Sequence, residues 1–120
     1  GCFWYMKNTL SLKCNGYFLR LYRTGGTVTG RYLVLYYKKN NAGKNRLGIT
    51  VSKKVGKAVV RNRIRRIVKE SYRLCEDNIK SGFDIVFVSR VRTSGADFHT
   101  VRAELMNHLA AAGLISEDAL

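Results

Sequence analysis

The feature that most constrains the fold is a long amphipathic segment in the middle of the chain. From Ala58 to about Asp77, the apolar side chains fall within about a third of the turn of a 3.6-residue helix, and basic side chains occupy most of the opposite side. The apolar set is Val60, Ile64, Ile67, Val68, Leu74 and Cys75, and the basic set is Arg61, Arg65, Arg66, Lys69 and Arg73. The segment therefore predicts a long helix with one buried face and one cationic face.

Three shorter segments predict β-strands. Arg31–Tyr37 is rich in β-forming residues, Leu47–Val51 alternates apolar with small polar positions, and Asp84–Ser89 is a short apolar run. Asn40–Asn45 has a composition typical of a turn. If this short connection is a hairpin, the first two strands are antiparallel neighbours.

Two more helices complete the pattern. Leu10–Tyr22 has near-helical spacing and predicts a short first helix that ends at Arg23–Gly26, and Asp97 is a candidate N-cap for a last helix that stops at Gly113. The predicted order is α-β-β-α-β-α. We expect a single domain of the α+β class, with helices packed on a small mixed sheet and the third strand beside one of the first two. The pattern leaves the strand order and the hand of the crossover open.

The charge is concentrated in the first part of the chain. The 120 residues include 22 Lys and Arg and 8 Asp and Glu, a net charge of +14. Residues 1–69 hold 17 basic residues and no acid, whereas residues 70–120 hold 5 basic residues and all 8 acids. Such an imbalance is typical of a domain that binds a polyanion, and it favours nucleic acid over a membrane surface. We expect residues 1–120 to form one RNA-binding domain, with residues 1–9 a flexible start or a cloning remnant.

The sequence offers no pattern for a catalytic or metal site. Cys2, Cys14 and Cys75 form no CxxC pair, and His99 and His108 lie in another part of the chain, so no zinc spacing exists. The acids are scattered without ligand spacing. Unpaired thiols predict a cytoplasmic protein, and no apolar run approaches the roughly 18 residues of a membrane span.

The basic residues around the predicted long helix suit RNA backbone. Arg61, Arg65 and Lys69 are four residues apart, so on a helix they project from one face at steps of about 6 Å. That spacing is comparable to the spacing of phosphates along an RNA strand, and Asn62 could bond a base edge or a 2′-hydroxyl. The predicted RNA-binding set is Lys53, Lys54, Lys57, Arg61, Asn62, Arg63, Arg65, Arg66 and Lys69. The alternative is a basic helix that is merely solvated.

The segment 46–66 reads RLGITVSKKVGKAVVRNRIRR, and it closely resembles the signature of the protein subunit of bacterial ribonuclease P. The hallmark of that signature is the Arg-Asn-Arg at residues 61–63. The resemblance continues through segments 15–25, 31–36, 70–73 and 82–86, and covers about 100 residues. It implies an α/β sandwich with a left-handed βαβ crossover, a catalytic RNA that lies against residues 61–63, and precursor tRNA as the substrate.

The resemblance also implies a cleft between the first helix and the sheet that holds the 5′ leader of the precursor. By position, the aromatic residues of this cleft are Phe18, Tyr22 and Tyr36. Flat rings can stack unpaired bases with little sequence demand. The alternative is that these rings are core aromatics. Three departures from the family pattern are Tyr17, where an acid is usual, the apolar segment Gly1–Met6, where basic residues are usual, and the segment 89–92, which lacks the expected proline.

The function that the resemblance implies is a protein component of a tRNA 5′-maturation endonuclease. Catalysis would be carried by the RNA and its Mg²⁺ ions, with no organic cofactor, and the protein alone would be inactive. The expected partners are ribonuclease P RNA and precursor tRNA, with no membrane and no obligate protein partner. One alternative is a ribosomal-type or other structural RNA-binding protein, which needs no aromatic cleft. Another is a protein ribonuclease acting alone, which needs an acid–base pair that the sequence does not offer.

Overall fold

The computed structural model describes residues 9–11, 15–41 and 43–115. They form one sheet of five strands and three α-helices, which confirms the predicted class. The strands are β1 (Thr9–Ser11), β2 (Gly26–Thr29), β3 (Leu33–Lys39), β4 (Asn45–Val51) and β5 (Phe83–Ser89), and the helices are α1 (Asn15–Thr24), α2 (Ala58–Cys75) and α3 (Phe98–Ala111). Short 3-10 turns span Lys53–Val55, Glu76–Asn78 and Val91–Gly95.

The predicted long helix is α2, and it links two parallel strands. The sheet order is β1-β4-β5-β3-β2, in which β4 and β5 are parallel neighbours and β3 is antiparallel to β5. The β4-α2-β5 unit is therefore a crossover between adjacent strands. Its left hand stays a prediction from the resemblance. Ile64, Val68 and Tyr72 of α2 are fully buried, whereas Leu74, assigned to the apolar face, is 47% exposed.

The conditional hairpin between the first two predicted strands does not form, because β5 lies between β3 and β4. Asp84 of β5 is fully buried, and its carboxylate accepts hydrogen bonds from Arg46 Nε at 2.6 Å, Arg46 Nη2 at 2.8 Å and Asn40 Nδ2 at 2.8 Å. Arg46 lies on β4 and Asn40 follows β3. Asp84 thus ties both neighbouring strands to β5, and the apolar run of β5 suits a central strand covered on both faces.

The structure also contains two short strands that the predicted order omitted. Leu10 lies in β1, so the first helix begins at Asn15 rather than at Leu10, and Gly26 begins β2. A side chain at position 26 would clash with the ring of Tyr37 unless that ring shifted, so glycine suits the start of this strand. Strands of three and four residues have too little alternation to be predicted. The expectation for residues 1–9 lies outside the described residues except for Thr9, which begins β1.

The two faces of the sheet are covered differently. One face packs against α2 and α3 and forms the main core, which includes Leu33, Leu35, Leu47, Ile85, Phe87, Ile64, Val68, Val101, Leu105 and Leu109. The other face packs against α1, where Leu21 and Val86 are buried together. As predicted, Asp97 caps α3, because its carboxylate accepts from the Thr100 N–H at 2.8 Å, and Gly113 ends it with φ +77°.

The turn between β2 and β3 is attached to α3. Glu104 Oε1 accepts a hydrogen bond from the Arg31 N–H at 2.9 Å, and Glu104 Oε2 accepts from Tyr32 at 2.9 Å and Leu33 at 2.6 Å. His108 Nε2 lies 2.8 Å from the Leu33 carbonyl oxygen. One helix therefore binds the peptide groups at which β3 begins.

Candidate nucleic-acid interface

The start of α2 concentrates positive charge. Lys53 and Lys54 lie on a 3-10 turn before the helix, Lys57 is its N-cap residue, and all three are exposed. No side chain caps the helix, and its first turn carries no acid. The positive end of the helix dipole and three lysines therefore lie together, an arrangement that attracts anions.

The remaining predicted RNA-binding residues continue this surface along α2. Asn62, Arg63 and Arg66 are exposed, and Arg61, Arg65 and Lys69 are half-buried. All nine predicted residues therefore lie between Lys53 and Lys69 outside the buried core. We call this set the α2 basic surface.

Several members of the α2 basic surface also make contacts within the protein. Arg63 Nη2 donates to the Ala96 carbonyl oxygen at 3.0 Å, which joins α2 to the segment before α3. Arg65 Nη1 lies 3.4 Å from Asn62 Oδ1, so these side chains orient each other. Arg63 therefore has a structural contact in addition to its predicted contact with RNA, whereas the sequence suggested only the latter.

A second site lies on the α1 side of the sheet. The rings of Tyr22 on α1 and Tyr36 on β3 are stacked with a tilt, at 4.4 Å between centroids and 49° between planes. Both are half-buried and pack against the small cluster of Leu21 and Val86. The structure thus brings two of the three predicted cleft aromatics together, apart from the main core. Phe18 lies in α1, four residues before Tyr22, but its side chain is outside the described residues.

Sequence reasoning missed a lysine beside the tyrosine pair. Lys38 follows Tyr36 by two residues on β3, so both point to the α1 side of the sheet. Lys38 Nζ donates to Thr24 Oγ1 at 3.2 Å, and Thr24 Oγ1 donates to the Arg20 carbonyl oxygen at 2.9 Å. The signal that could have identified Lys38 was the two-residue period of the strand.

Several acidic groups are occupied by contacts of their own. Glu70 accepts from Arg73 at 2.5 Å, and this hydrogen bond lowers the pKa of Glu70. The hydrogen bonds from Thr100 lower the pKa of Asp97, and the carboxylate of Glu104 binds three peptide N–H groups. These carboxylates serve local structure and leave the positive field of the α2 basic surface largely unopposed.

The cysteine and histidine residues have packing or surface positions. Cys75 is buried, and burial raises the pKa of its thiol to about 11, so the side chain is a neutral thiol at physiological pH. His108 is buried against β3, and His99 is exposed. Cys2 and Cys14 lie outside the described residues. Within residues 9–11, 15–41 and 43–115, no group of three or more His, Cys, Asp or Glu could hold a metal ion.

The helices give no indication of a membrane span. Of the three described helices, none combines the length and the apolar character needed to cross a bilayer.

The chain is similar to proteins of one family throughout. The family model Ribonuclease P matches residues 6–113. The ribonuclease P protein component of a Thermoanaerobacter species is 47% identical over 96 residues, which are 80% of this chain and 83% of the relative. The component from Clostridium botulinum strain Langeland is 45% identical over 104 residues, or 86% of this chain and 94% of the relative.

Solved structures show the same similarity. The RNase P protein of Staphylococcus aureus superposes with a TM-score of 0.82 at 32% identity and covers 88% of this chain and 97% of its own. The RNase P protein of Thermotoga maritima gives a TM-score of 0.74 at 38% identity, with 81% and 92% covered. The architecture and the sequence therefore point to the same group of proteins.

Proposed function

Because this chain belongs to the ribonuclease P protein family, we propose that it binds the catalytic RNA of ribonuclease P and the 5′ leader of precursor tRNA, and so assists removal of the leader. The observation that carries the leader assignment is the Tyr22–Tyr36 pair, half-buried outside the main core. The two rings pack against Leu21 and Val86 but are only half-buried, so part of each ring surface is open to a base beside Lys38.

The α2 basic surface is the part that we assign to the catalytic RNA. A rigid helix holds Arg61, Arg65 and Lys69 at one-turn intervals, so several phosphates can be bound without ordering a loop. Arginine donates two parallel hydrogen bonds to a phosphate, which favours fixed contacts over diffuse attraction. The uncapped start of α2 adds peptide N–H donors at the same end.

The tyrosine pair is the part that we assign to the leader. Stacking of an unpaired base on an aromatic ring contributes about 1 to 3 kcal/mol and tolerates any base. A leader varies in sequence among precursors, so a platform that recognises the π-face of a base suits it. The tyrosine pair and helix α2 lie on opposite faces of the sheet, so the two sites can bind different RNA molecules.

We assign the hydrolysis to the RNA and its Mg²⁺ ions. Among the described residues, no group of three or more His, Cys, Asp or Glu could hold such an ion, and Glu70, Asp97 and Glu104 are used in local contacts. The protein would neutralise phosphate, align the leader and thereby raise the metal affinity of the complex indirectly. This role needs no further protein partner, and it belongs in the cytoplasm with precursor tRNA.

Reconstitution tests the proposal. The chain is combined with a bacterial ribonuclease P RNA at low Mg²⁺, and cleavage of a precursor tRNA is measured with and without the protein. We expect cleavage at the mature 5′ end only with the RNA, and at a much higher rate with both components. Binding of RNA without any change in cleavage would instead indicate a structural RNA-binding protein. Cleavage by RNA-free protein would refute the assignment of catalysis to the RNA.

A further inference from the structure

A row of charged side chains crosses the sheet beside the tyrosine pair. Lys38 of β3, Asp84 of β5 and Arg46 of β4 are register partners in adjacent strands. The buried carboxylate of Asp84 is bound by Arg46 through two nitrogens and by Asn40. The positive charge of Arg46 therefore neutralises the negative charge of Asp84, and Lys38 supplies the net positive charge of the row.

Lys38 is held at the junction of β3 and α1. Its Nζ donates to the hydroxyl of Thr24, a neutral group at the end of α1. The side chain is half-buried, so its methylene stem packs while the ammonium is close to solvent. An ammonium carries three donors, of which the bond to Thr24 uses one. The lysine is thus oriented without being paired to a carboxylate in this row.

Strand geometry places Lys38 one repeat along the sheet from Tyr36. Alternate residues of a strand project from the same face about 7 Å apart. This separation is comparable to that of successive phosphates along an extended nucleic-acid strand. A nucleotide whose base stacks on the tyrosine pair would therefore have a phosphate within reach of the Lys38 ammonium.

We propose that Lys38 binds one backbone phosphate of the unpaired 5′ leader, next to the nucleotide that stacks on Tyr22 and Tyr36. This inference rests on the proposed function, because it needs the leader in the cleft. It assigns to Lys38 the task of fixing the position of the strand along the cleft, whereas the rings hold a base of any identity. Lys38 is therefore a binding residue for substrate backbone.

A purely structural role for Lys38 makes a different prediction. A lysine at the C-terminal end of α1 also stabilises the helix dipole. That effect would change the stability of the protein, but it would not distinguish a precursor from a mature tRNA. Lys39 provides a matched control, since it carries the same charge, is exposed, and points to the other side of the sheet.

The test uses holoenzyme reconstituted with a bacterial ribonuclease P RNA. Affinities for precursor and mature tRNA are measured for the wild type, Lys38→Gln, Lys38→Arg, Lys39→Gln and Tyr36→Ala, with melting temperatures of each protein. We expect Lys38→Gln to weaken precursor binding about tenfold and to leave mature tRNA unchanged, because a charged hydrogen bond is removed. Lys38→Arg should retain most of the affinity, and Lys39→Gln should behave as the wild type.

Precursors with one neutral methylphosphonate linkage in the leader identify the phosphate. With wild-type protein, a methylphosphonate at one position should lower the affinity for the precursor about tenfold. With Lys38→Gln, the same modified precursor should bind as well as the unmodified precursor. If no single linkage shows a protein-dependent loss, or if Lys38→Gln weakens precursor and mature tRNA equally, the inference is wrong. If Tyr36→Ala weakens precursor binding and Lys38→Gln does not, Lys38 is excluded while the proposed function stands. If neither change affects precursor binding selectively, the leader-cleft assignment itself fails.

Discussion

We expect variants of Glu104 to lose stability in proportion to the number of backbone N–H groups that lose their hydrogen bond to this side chain. The carboxylate binds the N–H groups of Arg31, Tyr32 and Leu33, and Leu33 is fully buried. Glu104→Ala leaves all three without this partner. A buried donor left unsatisfied costs about 1 to 3 kcal/mol, whereas the exposed Arg31 N–H can bind water at little cost. We therefore expect a loss of about 2 to 3 kcal/mol in the free energy of unfolding.

Glu104→Gln separates the number of hydrogen bonds from the presence of the side chain. Its carbonyl oxygen can replace Oε2 and keep the bonds from Tyr32 and Leu33, while its amide group faces the exposed Arg31 N–H. The expected cost is about 1 kcal/mol, less than that of Glu104→Ala. Glu70→Ala is a control for loss of a carboxylate, because water screens the exposed Glu70–Arg73 pair and its loss should change stability little.

Urea unfolding followed by circular dichroism measures these differences. With a denaturant slope of about 1.5 kcal/mol per molar, Glu104→Ala should lower the midpoint by about 1.3 to 2 M and Glu104→Gln by about 0.7 M. The order Ala, Gln, wild type is the essential result. Equal midpoints for Glu104→Ala and Glu70→Ala would refute the reasoning, since the three hydrogen bonds from peptide N–H groups to Glu104 would then contribute nothing measurable to stability.

Three further changes have defined outcomes. Replacing Arg61 and Arg65 with Ala should weaken assembly with ribonuclease P RNA. The slope of log binding constant against log salt concentration should become shallower by roughly 0.7 to 0.9 for each phosphate that is no longer bound. An unchanged slope would mean that the basic face of α2 is merely solvated. Because burial raises the pKa of Cys75 in the folded state to about 11, the thiolate is favoured in the unfolded state, so stability should fall as pH rises from about 9 to 11. Urea midpoints across this range should fall less for Cys75→Ala than for the wild type, and parallel curves would contradict the assignment. Gly26→Ala should lower the melting temperature, because its Cβ would clash with the ring of Tyr37 and displace it, and an unchanged temperature would show that the ring moves aside freely.

The parts of the fold that depend on local signals could be predicted from the sequence. The period of α2, the cap at Asp97 and the stop at Gly113 are properties of neighbouring residues, and the structure confirms them. Sheet pairing depends on contacts between residues far apart in sequence. β5 pairs with β3 and β4, and the Asp84–Arg46 contact between β5 and β4 joins residues 38 positions apart, so no local pattern predicts it.

The candidate sites also contain some residues that the sequence could predict and others that depend on distant contacts. The basic residues of α2 were evident from periodicity, and the resemblance supplied Tyr22 and Tyr36, which the structure brings together. Lys38 was missed because a lysine near the end of a strand is usually only a solvated side chain. Glu104 was missed because a glutamate on a helix has the composition of an exposed face, and its role depends on a turn 71 to 73 residues earlier.

The central position of β5 also determines when the sheet can form during synthesis. β3 and β4 both pair with β5, which follows both of them in the sequence, so both lack that partner until residues 83–89 have been made. Until then, strand edges on the nascent chain are unpaired. The apolar face of α2 also lacks the complete sheet against which it packs in the folded protein. The strongly cationic part of the protein is thus translated before its scaffold exists. A ribosome that stops before Phe83 would release a basic polypeptide without the native fold.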